Sequence, residues 1–187
     1  KITRRVDSVN DREALQEDLE RLDDWSDRWQ LKFNANKCTV MHIGRQGVLG
    51  KQEYSMKKHG TNEKEVLKES EVEKDLGIWV DNKLKFSVHV VKVVNKANQI
   101  LGMIRRSFTH LDAQTMKLLF CALVRPHLEY GNVVWWHPSL RKDMELLESV
   151  QHRATRMVPG FSKLSYEERL RKLRLPSLEY RRKRGDM

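Results

Sequence analysis

The sequence predicts an α+β fold in two parts. A small antiparallel β-sheet with one packed helix occupies residues 1–82, and an all-helical bundle follows over 83–187. Three observations carry this expectation. In the first part apolar residues recur at helical spacing and then alternate as in strands. From about Ser87 the helical period returns and persists to the end of the chain. Charge changes at the same place: residues 83–125 hold eight Lys/Arg and one acid, Asp112, whereas residues 11–29 hold eight Asp/Glu against three Arg.

The first helix is read from Leu15, Leu19, Leu22, Trp25 and Trp29, with Asn10 and Glu13 as its cap pair. Its other face is acidic. Asp23 and Asp24 are adjacent, and neighbours on a helix point about 100° apart, so they read as solvated side chains rather than as metal ligands. "NANK" breaks the helix, and "CTVMHIG" (Cys38–Gly44) reads as a buried strand. "RQGVLGKQ" is a loop and "EYSM" a short strand. "KDLGIWVD" is a further strand with Leu76, Ile78 and Val80 on one face and Gly77 between them. The Lys/Glu-rich residues before it suit a hairpin and an exposed edge.

In the second part Val90, Val94, Ala97, Leu101, Ile104 and Phe108 form one helix stripe. Lys92, Asn95, Lys96, Gln99 and Arg106 lie largely off it. Asp112 can cap a second helix bearing Met116, Leu119 and Leu123, which Pro126 should stop. "EYGNVVWWHP" reads as aromatic core. Ser139 can begin a helix through Met144, Leu147, Val150 and Ala154, closed by Pro159–Gly160. Ser165 and Glu168 form a capping box for a short helix before Pro176, and "RRKR" (Arg181–Arg184) carries a last helical piece.

The 187 residues are 39% hydrophobic and 33% charged, the balance of a folded, polar-surfaced chain rather than a disordered one. No run approaches the roughly 18–20 apolar residues that a membrane span needs, so no membrane partner is expected. The chain opens on Lys1 without a signal-like segment, which reads as a fragment of an intracellular protein, cytoplasmic and/or nuclear. Cys38 and Cys121 read as buried thiols of a reducing compartment. With His42 and His127 they lack zinc-finger spacing, and no metal site is expected. There is no Gly-rich phosphate loop and no Ser/His/Asp set. The net charge of +10 is concentrated: residues 83–125 and 151–187 each contribute +7. Such confinement suits a polyanion-binding face, although a merely solvated basic face has the same composition.

Six blocks carry a resemblance. "LQEDLERLDDWSDRWQLKFNANKCTVMHIG", "EKDLGIWVDNKLKFSVHV", "KANQILGMIRR", "LVRPHLEYGNVVW", "LESVQHRATRMV" and "LSYEERLRKLRLPSLEYRRKRGDM" resemble reverse transcriptases of non-LTR retrotransposons (LINEs), jockey-like elements especially. The resemblance implies the end of the polymerase palm followed by the thumb. In that family the aspartates that hold two Mg2+ ions precede a segment like the opening "KIT". The fragment itself is therefore expected to hold no cofactor and to be inactive alone, although the parent polymerase uses Mg2+.

The implied roles fall on particular residues. Lys37 matches the motif D lysine, thought to protonate the pyrophosphate leaving group. Leu76, Gly77 and Ile78 match the primer grip, the hairpin under the primer's 3′ end. Lys92, Lys96 and Arg106 lie on what looks like the thumb helix along the template–primer duplex. The implied partners are an RNA template with a DNA primer, and the missing fingers and palm of the same polymerase. The alternative is a non-catalytic remnant of a decayed element, inert or reused as a nucleic-acid-binding or interaction module.

Overall fold

The computed structural model describes residues 1–44, 50, 52–58, 63–135 and 140–184. The protein is mixed α+β. It divides into two compact units, Lys1–Glu73 with Asp81–Leu84, and Lys74–Val80 with Lys85–Met187. Lys74–Val80, assigned to the first part from sequence, thus pack with the second unit.

In the first unit, helix α1 (Val9–Trp29) is followed by a 3-10 turn (Ala35–Lys37) and strands β1 (Thr39–Val40), β2 (Ser55–Lys57), β3 (Lys64–Val66) and β4 (Lys68–Glu69). The capping box is Ser8 with Asp11, not Asn10 with Glu13. The Asp11 N–H donates to Ser8 Oγ, and the Ser8 N–H to Asp11 Oδ2. Asn10 falls inside the first turn. The single sheet expected is instead a set of two-stranded pairs. β2 and β3 are antiparallel, but β1 and β4 pair in parallel, Thr39 opposite Lys68. "CTVMHIG" yields only the two residues of β1, with Thr39 exposed and Val40 half-buried, and Ile43 is exposed too. Cys38 is half-buried rather than buried, as is Cys121 in the second unit; both are free thiols.

Such pairs are marginal alone and need a covering element. Here Leu15, Leu19 and Leu22 of α1 pack with Ala35, Tyr54, Met56 and Leu67. The stripe does not continue to Trp25 and Trp29: Trp29 is 63% exposed, and Asp23 and Ser26 are buried instead. The reason lies in β2, whose edge groups need partners. Gln16 brackets Ser55, donating from Nε2 to its carbonyl at 3.0 Å and accepting its N–H at 3.1 Å. Two turns on, Asp23 accepts the Lys57 N–H at 2.8 Å. Asp23 is a structural acceptor, not a solvated acid. The acidic face pairs with the strands' lysines, Lys57 with Asp24 at 2.8 Å and Lys64 with Glu20 at 2.6 Å.

Strands β5 (Val72–Asp75) and β6 (Ile78–Asp81) pair with each other. In the second unit follow α2 (Ser87–Ser107), α3 (Ala113–Leu119), a π-helical turn (Phe120–Val124), α4 (Arg125–Glu129), α5 (Asn132–Trp135), α6 (Arg141–Arg156), α7 (Tyr166–Leu173) and α8 (Leu178–Lys183). Pro126 does not stop the second helix. A proline lacks the N–H for the i−4 carbonyl and its ring crowds it; the preceding turn widens to π geometry and the helix runs on to Glu129. Met116, Phe120, Val124 and Leu128 are buried, while Leu123 is exposed.

The core gathers Val90, Val94, Ala97, Leu101 and Ile104 of α2 with Leu147, Val150 and Ala154 of α6 and with Leu173 and Leu178. Phe108 leaves the stripe as the extended C-cap of α2. In "EYGNVVWWHP" Trp135 is buried, but Tyr130, Val133 and Val134 are exposed. The expected start at Ser139 lies outside the described residues. Asp112 caps α3, accepting from the Thr115 N–H at 2.7 Å, and the Ser165–Glu168 capping box forms. In "RRKR" Arg181 is bidentate to Glu129 and Arg182 is buried, while Lys183 and Arg184 are exposed. No described helix is long and apolar enough to cross a membrane.

Candidate nucleic-acid interface

Helix α2 presents the most distinctive surface of the second unit. Its 21 residues contain no Asp or Glu. With Val94, Ala97 and Leu101 turned inward, the 100° step sends Lys92, Asn95, Lys96, Gln99 and Arg106 outward, and all five are exposed. Phe86 stands at the N-cap position with φ 58°. At the first turn Ser87 Oγ donates to Asp143 Oδ2 at 2.6 Å, fixing α2 against α6.

The β5–β6 hairpin adjoins this helix. Leu76 and Gly77 are its two turn residues, with φ 45° and 89°. Two positive φ values in succession mark the primed turn whose twist matches that of paired strands. Leu76 therefore leaves the Ile78–Val80 face on which sequence alternation placed it, and is 87% exposed. Its carbonyl accepts the Tyr130 hydroxyl at 3.0 Å. Gly77 permits a close approach, but by a ring: a Cβ there would lie 3.1 Å from Tyr130 Cε1. Ile78 is buried against Gly131.

A left-handed Leu76 costs about 1–2 kcal/mol of backbone strain, and its exposed side chain returns little burial. Leu76→Asn, which creates the preferred Asn–Gly turn, is expected to raise stability by about 0.5–1 kcal/mol in urea unfolding. An unchanged midpoint would mean the strain is absent.

Trp79 joins the hairpin to α2. Its backbone N–H donates to His89 Nδ1 at 3.3 Å, and Lys92 Nζ stands 4.9 Å from its ring centre, with Lys74 at 5.9 Å. His89 is buried, edge-on to Trp135 at 5.1 Å. Burial pushes its pKa below the ordinary histidine value. Accepting at Nδ1 requires the neutral ring with its proton on Nε2. Because the folded pKa lies below the unfolded one, stability is full above the unfolded value, about 6.5, and declines as pH falls below it. His152 shifts the same way, mainly by burial. Between about pH 5 and 7, above most carboxylate titration, wild type should lose stability and His89→Gln should lose less. Equal slopes would dismiss His89 as a contributor.

The second unit thus brings Leu76, Gly77 and Ile78 together with Lys92, while Lys96 and Arg106 continue along the same helix face. Lys37 belongs to the first unit. It ends the 3-10 turn, exposed, with its N–H donating to Asn34 O at 2.9 Å. His89, Trp79 and Tyr130 were missed in the sequence; no local pattern marks the Trp79–His89 and Tyr130–Leu76 bonds, whose partners lie 10 and 54 positions apart. Among the described residues no group of three or more His, Cys, Asp or Glu side chains is placed to hold a metal ion. No family model matches the chain, and neither a curated protein nor a solved structure does.

Proposed function

We propose that this chain is the palm-end and thumb portion of a non-LTR retrotransposon reverse transcriptase, whose role is to support an RNA template paired with a DNA primer. The observation that carries this reading is the outward face of α2. An acid-free helix with lysine, arginine and amide side chains in register suits a duplex held by its backbone rather than its sequence. The hairpin tip at Leu76–Gly77 beside that helix suits a primer-supporting element. The described residues provide no ligand set for Mg2+, and the proposed role runs through none. The exposed Trp25 and Trp29 suit an interface with the remainder of such a polymerase. They equally favour the second reading, a non-catalytic remnant reused as an interaction module.

The test is binding of an RNA–DNA hybrid across a salt series. Reversing Lys92, Lys96 and Arg106 to Glu should lower affinity and flatten the log-affinity against log-salt slope by roughly 0.7–0.9 per lost phosphate contact. Reversing Arg28, Lys32 and Lys68, which are exposed in the first unit, changes net charge equally. Lys57 and Lys64 would be poor controls, because reversal would oppose their acidic partners on α1. Equal losses in both triple variants would reduce the binding to bulk charge attraction and remove the support for the thumb assignment.

A further inference from the structure

An open groove of about 1510 Å³ runs along the second unit on a surface distinct from the outward face of α2, walled by the end of α2, by α6 and by α8. It exceeds the roughly 300–1,000 Å³ of a pocket for one small ligand. Its acids are already engaged. Glu145 pairs with Arg141 and Glu179 with Lys183. The Glu148 carboxylate accepts the Tyr166 hydroxyl and the Leu178 and Glu179 N–H groups that open α8.

Three exposed cations of the groove, Arg105, Arg153 and Arg156, have no ion pair or hydrogen bond among the described residues. Arg153 and Arg156 stand at i and i+3 on α6, a like-charge pairing that a helix disfavours. Burial chiefly lowers the pKa values of His152 and Arg169, and the Arg156 charge lowers them further by a smaller amount. The helix C-termini offset part of this repulsion, and a bound polyanion would relieve it. Beside the arginines Phe108 is 41% exposed, an apolar ring within a cationic groove.

We infer that this groove binds single-stranded nucleic acid, with Arg105, Arg153 and Arg156 on successive phosphates and Phe108 under a base. Guanidinium forks match phosphate oxygens, and aromatic stacking accepts every base. An acidic peptide fits less well. The walls are helices whose backbone groups are satisfied internally, so an extended peptide would find no strand edge to pair with. A single strand needs only side-chain cations and a ring. The inference rests on a surface separate from the duplex-supporting face.

The test uses the full chain and fluorescence anisotropy with a labelled oligouridine of about 12 nucleotides, within the ~4–16 that such grooves cover. Replacing Arg105, Arg153 and Arg156 together by Gln should weaken oligouridine binding roughly tenfold and flatten its salt slope by about 0.7 per lost contact. RNA–DNA hybrid binding should stay within about twofold, since single-strand and duplex sites are read separately. In the wild-type protein, a thiouridine-bearing strand should crosslink to peptides containing Phe108 or the end of α6. Oligouridine affinity unchanged in the triple variant would overturn the inference, as would crosslinks confined to other surfaces. Displacement of the strand by polyglutamate as readily as by unlabelled oligouridine at matched charge would also overturn it, showing a site for acidic polymers in general.

Discussion

Replacing Gly131 with valine is expected to cost the second unit about 3 kcal/mol or more. Two separate penalties add. Gly131 has φ 61°, a conformation that costs an L-residue about 1–2 kcal/mol and a β-branched one more. A Cβ there would also lie 2.7 Å from Ile78 Cδ1, closer than any real contact, and Ile78 is buried with little room to turn. Forcing a packed side chain off its rotamer costs about 1–3 kcal/mol.

Paired variants separate the two terms. Gly131→Ala should incur both the backbone strain and the crowding of Ile78. Gly131→Ala with Ile78→Val removes the crowding methyl and should recover part of the loss relative to the sum of the single changes. Urea unfolding followed by tryptophan fluorescence reads the change, and Trp135, whose Nε1 donates to Tyr130 O at 2.8 Å beside the glycine, contributes to a signal shared by five tryptophans. Strict additivity of the two substitutions would mean that Ile78 has room to move and that Gly131 matters only for its backbone. A loss below about 1 kcal/mol for valine would contradict both terms.

The consequence would extend to the candidate interface. Gly131, Tyr130 and His89 hold the hairpin that carries Leu76 and Gly77, and Trp79 of that hairpin stands under Lys92. A variant that loosens Ile78 should therefore disturb the hairpin before it unfolds the helices, whose core rests on α2 and α6. The proposed primer support and the stability of this corner are one packing problem.

What could be read from the sequence followed from local rules. The α2 stripe was legible because helix geometry alone sends Val94, Ala97 and Leu101 one way and Lys92, Lys96 and Arg106 the other. Asp112 and the Ser165–Glu168 pair were legible because caps are satisfied within four residues. The failures have two causes. Asp23 displaces Trp25 from the inner face of α1 because β2, more than thirty residues away, needs an acceptor for its edge. Leu76 reads as a strand residue by alternation, yet turns because Gly77 follows and Tyr130 receives the tip. Pro126 reads as a stop, yet a widened turn absorbs it. Asp23 and the tip at Leu76 answer to partners that no window of sequence contains, whereas the widened turn before Pro126 and the Ser8–Asp11 cap are local alternatives that the pattern did not single out. The candidate site divides the same way: its cations were visible, and the residues that hold the hairpin beside them were not.

The largest functional effect expected is at Lys37. In an active polymerase that contains this segment, Lys37→Ala should slow single-turnover nucleotide addition by about 10²–10⁴-fold, the usual worth of a positioned general acid. Template–primer affinity should change little, because the proposed phosphate contacts lie on α2. The exposed position of Lys37 at the end of the Ala35–Lys37 turn leaves its ammonium able to reach outward, while the turn's own hydrogen bonds fix the backbone behind it. An arginine substitution separates charge from proton transfer. Lys37→Arg keeps the cation, but a guanidinium gives up its proton far less readily than an ammonium. If Lys37 donates a proton to the leaving pyrophosphate, the arginine variant should stay slow and should lose any solvent deuterium isotope effect shown by the wild type. If the residue only neutralises charge, arginine should restore most of the rate. Rates of the alanine variant within about threefold of wild type would mean that Lys37 serves the turn alone, and the motif D reading of this helix, turn and strand would fail with it.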